Sequence, residues 1–311
     1  PPPTTPPPTR RRQRQMCIRA SSAPLLKIEY HRHFSHSRAF IPGGAAIAML
    51  LLWPFMRRHL SAKRLYLFCL AGYSMSGVLD ACTSYGTHLF WPFSDERVAL
   101  NIISIVDPVF TLILLVTLLA GVRVGHRKVA YAGLALCMMY LGMGFVQLQR
   151  AEQVAEVLRE KRSHLAMQSV VKPTLANLAL WRSVYIHGDR IHVDAIRVGL
   201  TDTGKAIEGE SAALFSLDKD LPQLDESSVL YTDIVRFLAF SDGYVAFDPM
   251  QANVLGDIRY SMLPVSARPL WGIVIDPDRP QVHADYQFFR DSSQSVRETF
   301  IDLLFDSHTV D

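Results

Sequence analysis

The sequence lacks the short motifs that identify the common soluble enzyme classes. Its 311 residues contain no Gly-rich phosphate loop, no GxSxG nucleophile elbow, no HExxH zinc motif and no internal repeat. Cysteine is also scarce, with four residues, none in a CxxC pair and three in apolar segments. We therefore interpret the cysteines as packing residues, which disfavours a disulfide framework or a zinc knuckle.

An excess of charge of either sign is missing as well. The net charge is +3, and the basic residues concentrate near the N-terminus and in loops beside apolar runs. This distribution suits the surface of a membrane better than the groove of a nucleic acid. We therefore expect membrane lipid as a partner and no nucleic acid.

Apolar residues, in contrast, are abundant. They make up 49% of the chain, and because most of them lie between about residues 40 and 150, they predict a membrane unit there. Pro108 falls inside the third apolar run and should kink its helix. The runs that predict four transmembrane helices cover residues 40–56, 65–79, 98–122 and 129–149.

The rest of the chain predicts two further regions. Residues 1–29 are rich in Pro and Arg and have too little apolar surface to fold, so we expect a disordered tail. Residues 150–311 begin with a charged amphipathic helix and continue with short strand patterns, including a hairpin that turns at 187–190. The predicted fold is a membrane α-helical domain of about four transmembrane helices in residues 30–149, followed by a small α+β, mainly antiparallel, extramembrane domain.

Two acidic residues stand inside the apolar runs. Asp80 lies near the end of the second run and Asp107 near the start of the third. A carboxylate at membrane depth costs roughly 2.5–3.5 kcal/mol on insertion scales, so it usually faces a polar interior and has a task. Counting four crossings puts both aspartates, the segment before the first run and the C-terminal domain on one side of the membrane.

Three histidines precede the first run in the segment HRHFSHS. His33 and His36 would share one face of a helix, whereas His31 and His33 would share a face of an extended chain. Imidazoles together with Asp80 and Asp107 are ligands that suit zinc, manganese or iron. The alternative is that the histidines simply lie among lipid headgroups.

The site-side turn carries Arg97 beside Asp95 and Glu96. Arg97 either pairs with one of these acids at the surface or holds an anionic group of a substrate. The loops on the opposite face carry more basic residues, and the positive-inside rule then makes the C-terminal domain extracytoplasmic.

Five segments of the chain form a specific combination: HRHFSHS, LDACTSYGTHLFWPFSDERVALNIISIVDPVFT, WRSVY, FSDGYVAFDP and DIRYSMLP. Together they resemble the YdjM/YfhP-like family of bacterial inner-membrane proteins, which are labelled metal-dependent hydrolases. The resemblance implies a multi-pass protein of the bacterial inner membrane with a metal site. The matching positions are His31, Arg32, Phe34, Ser35, His36, Ser37, Asp80, Thr83, Pro92, Phe93, Arg97, Asp107 and Pro108.

Two departures from the family pattern stand out. Ser76 takes the place of a histidine one helical turn before Asp80, and the Pro- and Arg-rich tail replaces an apolar, partly acidic segment. Both changes remove candidate metal ligands.

The resulting hypothesis is a membrane-embedded, metal-dependent hydrolase. His31, His33, His36, Asp80 and Asp107 would bind a divalent ion, which would make hydroxide available near neutral pH. Arg32 or Arg97 would hold the anionic group of a small-molecule or lipid-like substrate.

Two other hypotheses remain beside the hydrolase. The first is a non-catalytic, degenerate or truncated family member whose C-terminal domain binds a partner. The second is a transporter that relays protons through its buried aspartates, which four spans without repeats disfavour.

Overall fold

The computed structural model describes residues 37–305. The tail of residues 1–29, for which we predict disorder, and the histidine motif with His31, Arg32, His33 and His36 lie outside the described residues. The helices are α1 (Ile41–Met56), α2 (Ala62–Cys82), α3 (Pro108–Val124), α4 (Arg127–Lys161), α5 (Leu217–Asp220), α6 (Val229–Phe240) and α7 (Gln294–Phe305).

The four apolar runs all contain helices, but the third differs from its prediction. Residues 98–107 form an irregular segment, and α3 begins only at Pro108. The predicted kink at Pro108 is therefore wrong. Proline has no N–H group to lose at the first helical position and its fixed φ suits that place, so it starts the helix instead. The fourth run and the charged segment after it form one helix, α4, as predicted.

Two of these helices are long and apolar enough to cross a membrane. They are α2 with 21 residues and α4 with 35, whereas α1 and α3 are apolar but shorter, with 16 and 17 residues. Only 22% of the apolar window of α2 and of α4 is buried within the chain. Side chains such as Phe55 and Leu118 are also exposed, at 77% and 65%. Helices of a soluble core would bury these groups, so the exposed apolar faces are typical of helices that contact lipid.

The C-terminal half is built from two antiparallel sheets, as the strand patterns predict. The hairpin at 187–190 is confirmed: His187 pairs with Arg190, and Gly188 adopts the positive φ of +59° that the turn requires. Each sheet has four strands in sequential order. The strands are β1 (Gln168–Pro173), β2 (Leu180–His187), β3 (Arg190–Arg197), β4 (Lys205–Ala213), β5 (Val245–Asp248), β6 (Gln251–Asp257), β7 (Trp271–Val274) and β8 (Asp285–Phe288).

One hydrophobic core joins the helices to the first sheet. It contains residues of α3, of α4 and of the segment before α3, together with Trp181 and Ile196 from β2 and β3. The second sheet packs against α6 in a separate cluster, and a third cluster lies between the two sheets. The predicted domain boundary after residue 149 therefore falls within α4, whose C-terminal half packs on the first sheet.

Candidate functional site

Residues 83–107 link α2 to α3, and they also contact the part of the chain that contains the sheets. A single β-bridge between Thr87 and Val98 folds it into a loop. Gly86 has a φ of +80°, and a Cβ atom placed on it would lie 2.8 Å from Cγ of Arg97. Only glycine lets the chain turn here while the side chain of Arg97 crosses it. We call residues 83–107 the connecting loop.

The C-terminal end of the connecting loop fixes Asp107. Its Oδ1 accepts a hydrogen bond of 2.9 Å from the backbone N–H of Phe110, which makes Asp107 the N-cap of α3. The hydroxyl of Tyr140 on α4 lies 2.8 Å from Oδ2 and 3.0 Å from Oδ1. With only 4% of its surface exposed, Asp107 joins the start of α3 to the middle of α4. Its predicted role as a metal ligand stays a prediction.

The N-terminal end of the connecting loop follows Asp80, which lies in the last turn of α2 and is half-buried. The backbone oxygen of Asp80 accepts hydrogen bonds from the N–H and the hydroxyl of Thr83. Ser76, one turn earlier, donates its hydroxyl to the backbone oxygen of Tyr73. Within residues 37–305, no three His, Cys, Asp or Glu side chains lie close enough together to hold a metal ion. Asp80 and Asp107 alone therefore do not make a metal site, and its predicted histidines lie outside the described residues.

A polar cavity of about 190 Å³ lies where the connecting loop meets the two sheets. The loop contributes one side, and β1 together with the segments that flank the second sheet contributes the other. Among its lining residues are the polar side chains of Ser84, Arg97, Asn101, Lys172, Asp242 and Arg259.

Lys172 on β1 is a buried cation that lines this cavity. Its Nζ donates to the backbone oxygen of Ser84 at 2.9 Å, to Oδ1 of Asn101 at 3.2 Å and to the hydroxyl of Tyr260 at 3.3 Å. Only 5% of Lys172 is exposed, and burial, with the charge of nearby Arg259 as a smaller cause, lowers the pKa of its ammonium to about 7. All three partners are uncharged, so the charge of Lys172 has no direct counter-ion in the described part of the chain.

Arg97 extends from the connecting loop onto the second sheet's side of the cavity. Its guanidinium lies over the ring of Phe240 and donates a hydrogen bond of 2.5 Å to the backbone oxygen of that residue. It also lies 3.8 Å from the carboxylate of Asp242. Of the carboxylates near Arg97, the structure therefore places Asp242, 145 residues further along the chain, beside it in place of the predicted Asp95 or Glu96. The role in holding an anionic substrate group stays a prediction.

Asn101 has two functions in the loop. It adopts a positive φ of 53°, which asparagine tolerates better than most residues. Its amide nitrogen donates to the backbone oxygen of Ala99, and its amide oxygen accepts from Lys172. Asn101 therefore stabilises the local backbone and also lines the cavity.

Sequence reasoning missed Lys172, Arg259 and Tyr260. Lys172 stands in an ordinary strand pattern and carries no local signal. A signal did exist for the other two, because DIRYSMLP was among the segments that carried the family resemblance, and FSDGYVAFDP supplies Asp242 and Tyr244. Both segments line the cavity, although their sequence alone does not show that they meet.

A second group of titratable side chains lies at the end of α4. The rings of His164 and His187 stack with centroids 4.3 Å apart and an angle of 10°, and His192 lies 4.7 Å from His164. The lone pairs of an imidazole lie in the plane of its ring. Because the rings of His164 and His187 are parallel and stacked, their nitrogens do not point at one shared ion. Burial lowers the pKa of both His164 and His192. We interpret the group as packing between α4 and the first sheet.

Comparison with known proteins agrees with the membrane-like part of this architecture. Residues 16–151 match the family described as YdjM inner membrane protein. A curated relative, the uncharacterized protein YfhP of Bacillus subtilis (strain 168), is 23% identical over 222 residues. That alignment covers 70% of this chain and 63% of the relative, so the chain spans less than two thirds of the relative's length.

No solved structure matches the chain significantly. The name of the matching family and the exposed apolar helices support a place in the inner membrane. Together, the family match and the relative support a YdjM/YfhP-like family for this chain, as the sequence motifs predict.

Proposed function

We propose that the chain is a multi-pass inner membrane protein and a metal-dependent hydrolase. The observation that carries the proposal is the position of Asp80, a half-buried carboxylate in the last turn of a candidate span, directly before a loop that contacts the extramembrane sheets. An acidic side chain at that depth usually serves an ion or a proton. The family that the sequence resembles is labelled with this activity.

The proposed ligand set combines the described carboxylates with the histidine motif. It consists of His31, His33, His36, Asp80 and Asp107, and the ion would be zinc, manganese or iron. Arg32 and Arg97 would hold the anionic part of a small-molecule or lipid-like substrate. Because Asp107 already caps α3 and bonds Tyr140, its contribution to an ion would be limited to the remaining lone pairs of its carboxylate.

The proposed topology has four spans, α1 to α4, with the extramembrane domain in residues 150–311. The exposed apolar side chains of the two shorter helices support spans there as well. Basic residues in the turns after α1 and after α3 favour an extracytoplasmic C-terminal domain under the positive-inside rule. Labelling of single cysteines placed at positions 58 and 219 with a membrane-impermeant maleimide in intact cells tests this. The proposal requires that the cysteine at position 219 is labelled and that the cysteine at position 58 is not.

The metal is tested by elemental mass spectrometry on the full chain purified in detergent. We expect about one zinc, manganese or iron ion per chain, and its loss in Asp80→Asn and in His36→Ala. The matched control is Asp218→Asn, which changes an exposed carboxylate on α5 and should retain the ion. Metal-free but folded protein after metal supplementation, or full occupancy in both site variants, would contradict the proposed site.

A second candidate function is a non-catalytic membrane protein whose C-terminal domain binds a partner. The hydrogen bonds of Asp107 favour it, because that carboxylate already caps α3 and holds Tyr140. Ser76 favours it too, since its hydroxyl bonds the backbone of its own helix in place of a histidine ligand. Folded protein without metal in the experiment above would support this function.

A further inference from the structure

The cavity between the connecting loop and the sheets contains more positive than negative charge. Arg259 makes four hydrogen bonds: its guanidinium donates twice to Asp257, and also to Asp242 and to the backbone oxygen of Phe240. The carboxylate of Asp242, which lines the cavity, and that of nearby Asp257 therefore both bond Arg259. Lys172 and Arg97 are the cations that remain.

Lys172 is a buried ammonium with only neutral partners. A charge that is removed from water is costly unless an opposite charge or a dense set of hydrogen bonds replaces the solvent. The described partners are a backbone oxygen, an amide oxygen and a tyrosine hydroxyl. An anion beside Lys172 would provide the missing opposite charge.

Arg97 has donors to spare at the same place. A guanidinium carries five N–H groups, and within residues 37–305 only one of those of Arg97 makes a hydrogen bond, to Phe240. The carboxylate of Asp242 lies 3.8 Å away, beyond hydrogen-bond distance. Arg97 can therefore donate to a group in the cavity without breaking its existing contact.

Ser84 is the independent observation that points to a ligand. The residue lines the cavity, only 5% of it is exposed, and its hydroxyl is buried with no hydrogen-bond partner among the described residues. Native structures rarely leave a buried hydroxyl unbonded, because the lost hydration is not replaced. Ser84 borders the same cavity that Lys172 and Arg97 line.

We propose that this cavity binds a phosphate group, with Arg97 and Ser84 as its hydrogen-bond donors and Lys172 as the neighbouring positive charge, because the three N–H groups of Lys172 already donate to Ser84, Asn101 and Tyr260. The two cations come from the loop on one side and from β1 on the other, which suits the tetrahedral oxygens of a phosphate better than the planar pair of a carboxylate. The volume of about 190 Å³ accommodates such a group with a few waters. The inference goes beyond the proposed hydrolase and does not depend on a metal ion or on hydrolysis.

Two sources share this chemistry, namely free phosphate and the headgroup of a phospholipid. The connecting loop begins where α2 ends, so a headgroup at the membrane surface has a short path to the cavity. Titration with inorganic phosphate and with short-chain phosphatidylglycerol distinguishes the two. Saturable binding of either compound supports the site and identifies the source.

The test uses the full chain in non-ionic detergent and phosphate-free buffer at pH 6.5. Isothermal titration and the shift of the thermal midpoint report binding of each compound, and acetate serves as the planar anion. We expect Ser84→Ala to weaken phosphate binding about tenfold, because one donor to a charged acceptor is lost, without lowering the midpoint of the ligand-free protein. Lys172→Met should abolish binding.

The matched control is Lys219→Met, which removes an exposed lysine that does not line the cavity and should bind like the unchanged chain. If Lys172→Met fails to fold, Ser84→Ala alone decides the outcome. Absence of binding by both phosphate compounds, equal affinity for acetate, or unchanged affinity in Ser84→Ala would overturn the proposal.

Discussion

Two buried polar centres lie along the connecting loop, and they differ in how completely their groups are bonded. At the α3 end, the carboxylate of Asp107 receives the N–H of Phe110 and the hydroxyl of Tyr140. On the other side of the loop, the ammonium of Lys172 has only neutral partners, and the hydroxyl of Ser84 has none among the described residues. We call the first centre closed, because the fold itself bonds its carboxylate, and the second open, because it borders a cavity where the hydroxyl of Ser84 and most N–H groups of Arg97 have no hydrogen bond among the described residues.

The difference teaches which buried charges belong to the fold and which are available for binding. A carboxylate that is hydrogen-bonded at a helix start stabilises the start itself and ties it to a neighbouring helix. A buried cation without a counter-ion costs stability and is retained where it serves another purpose. Substitution of Asp107 should therefore lower the stability strongly. Substitution of Lys172 or Ser84 should instead weaken phosphate binding strongly.

The largest expected effect on stability comes from Asp107→Ala. It removes the N-cap of α3, worth about 1 kcal/mol, and leaves the buried hydroxyl of Tyr140 without its acceptor, which costs about 1–3 kcal/mol. The thermal midpoint in detergent should fall clearly. Asp107→Asn keeps a cap and an acceptor, so it should lose much less. Equal losses in the two variants would mean that the negative charge, and not the hydrogen bonding, is what the fold requires.

Gly86→Ala should have the next largest effect, and it should reach the open centre. Alanine disfavours the φ of +80°, and its Cβ would lie 2.8 Å from Cγ of Arg97. We expect a destabilisation of more than about 1 kcal/mol, together with displacement of Arg97 from Phe240. Thermal unfolding checks the first and phosphate affinity the second. Gly243→Ala is a useful comparison, because it has a similar φ of +78° but nothing within 4 Å of its Cβ position.

The charge of Lys172 should appear as a dependence of stability on pH. Its pKa of about 7 in the folded chain lies below the ordinary 10.5, so the unfolded chain binds more protons between these values. Stability contributed by this residue therefore rises as the pH rises from 7 towards 10.5. The titratable and charged groups around it are Tyr85, Arg97, Asp242, Tyr244, Asp257, Arg259 and Tyr260.

Burial raises the pKa of Tyr244 to about 12 and also raises that of Tyr260, so neither titrates in this window. Thermal midpoints measured from pH 7 to 10 should climb more steeply for the unchanged chain than for Lys172→Met. Added phosphate should flatten the slope of the unchanged chain, because a neighbouring anion raises the pKa of the lysine. Parallel curves for the two proteins would show that Lys172 keeps an ordinary pKa.

Ser84→Ala should have the smallest effect on stability. Removal of a buried hydroxyl that has no partner is close to neutral, because no bond is lost and less polar surface is buried. The thermal midpoint of the ligand-free protein should stay within about 1–2 °C of the unchanged chain. A clear drop would indicate that the hydroxyl has a structural role, and that the open centre is less open than its geometry indicates.

The sequence predicted local features of this molecule better than contacts between distant segments. The apolar runs, the hairpin at 187–190 and the antiparallel strands follow from periodicity and turn residues, and the structure confirms them. The start of α3 was placed too early because residues 98–106 are apolar, and apolarity alone does not distinguish a buried loop from a helix.

The cavity could not be predicted in the same way. Lys172, Arg97 and Tyr260 are separated by many residues and become neighbours only when the loop meets both sheets. Asp80 and Asp107 were identified from their depth in apolar runs, but depth does not reveal that Asp107 is hydrogen-bonded by Phe110 and Tyr140. Pairings of this kind depend on tertiary packing.

The most direct test of the contrast between the two centres is the phosphate-induced shift of the thermal midpoint in two variants, Asp107→Asn and Lys172→Met. A ligand that binds the folded state raises the midpoint in proportion to its affinity. We predict that Asp107→Asn retains the shift of the unchanged chain and that Lys172→Met loses it. Loss of the shift in both variants, or its retention in both, would contradict the division into a closed and an open centre.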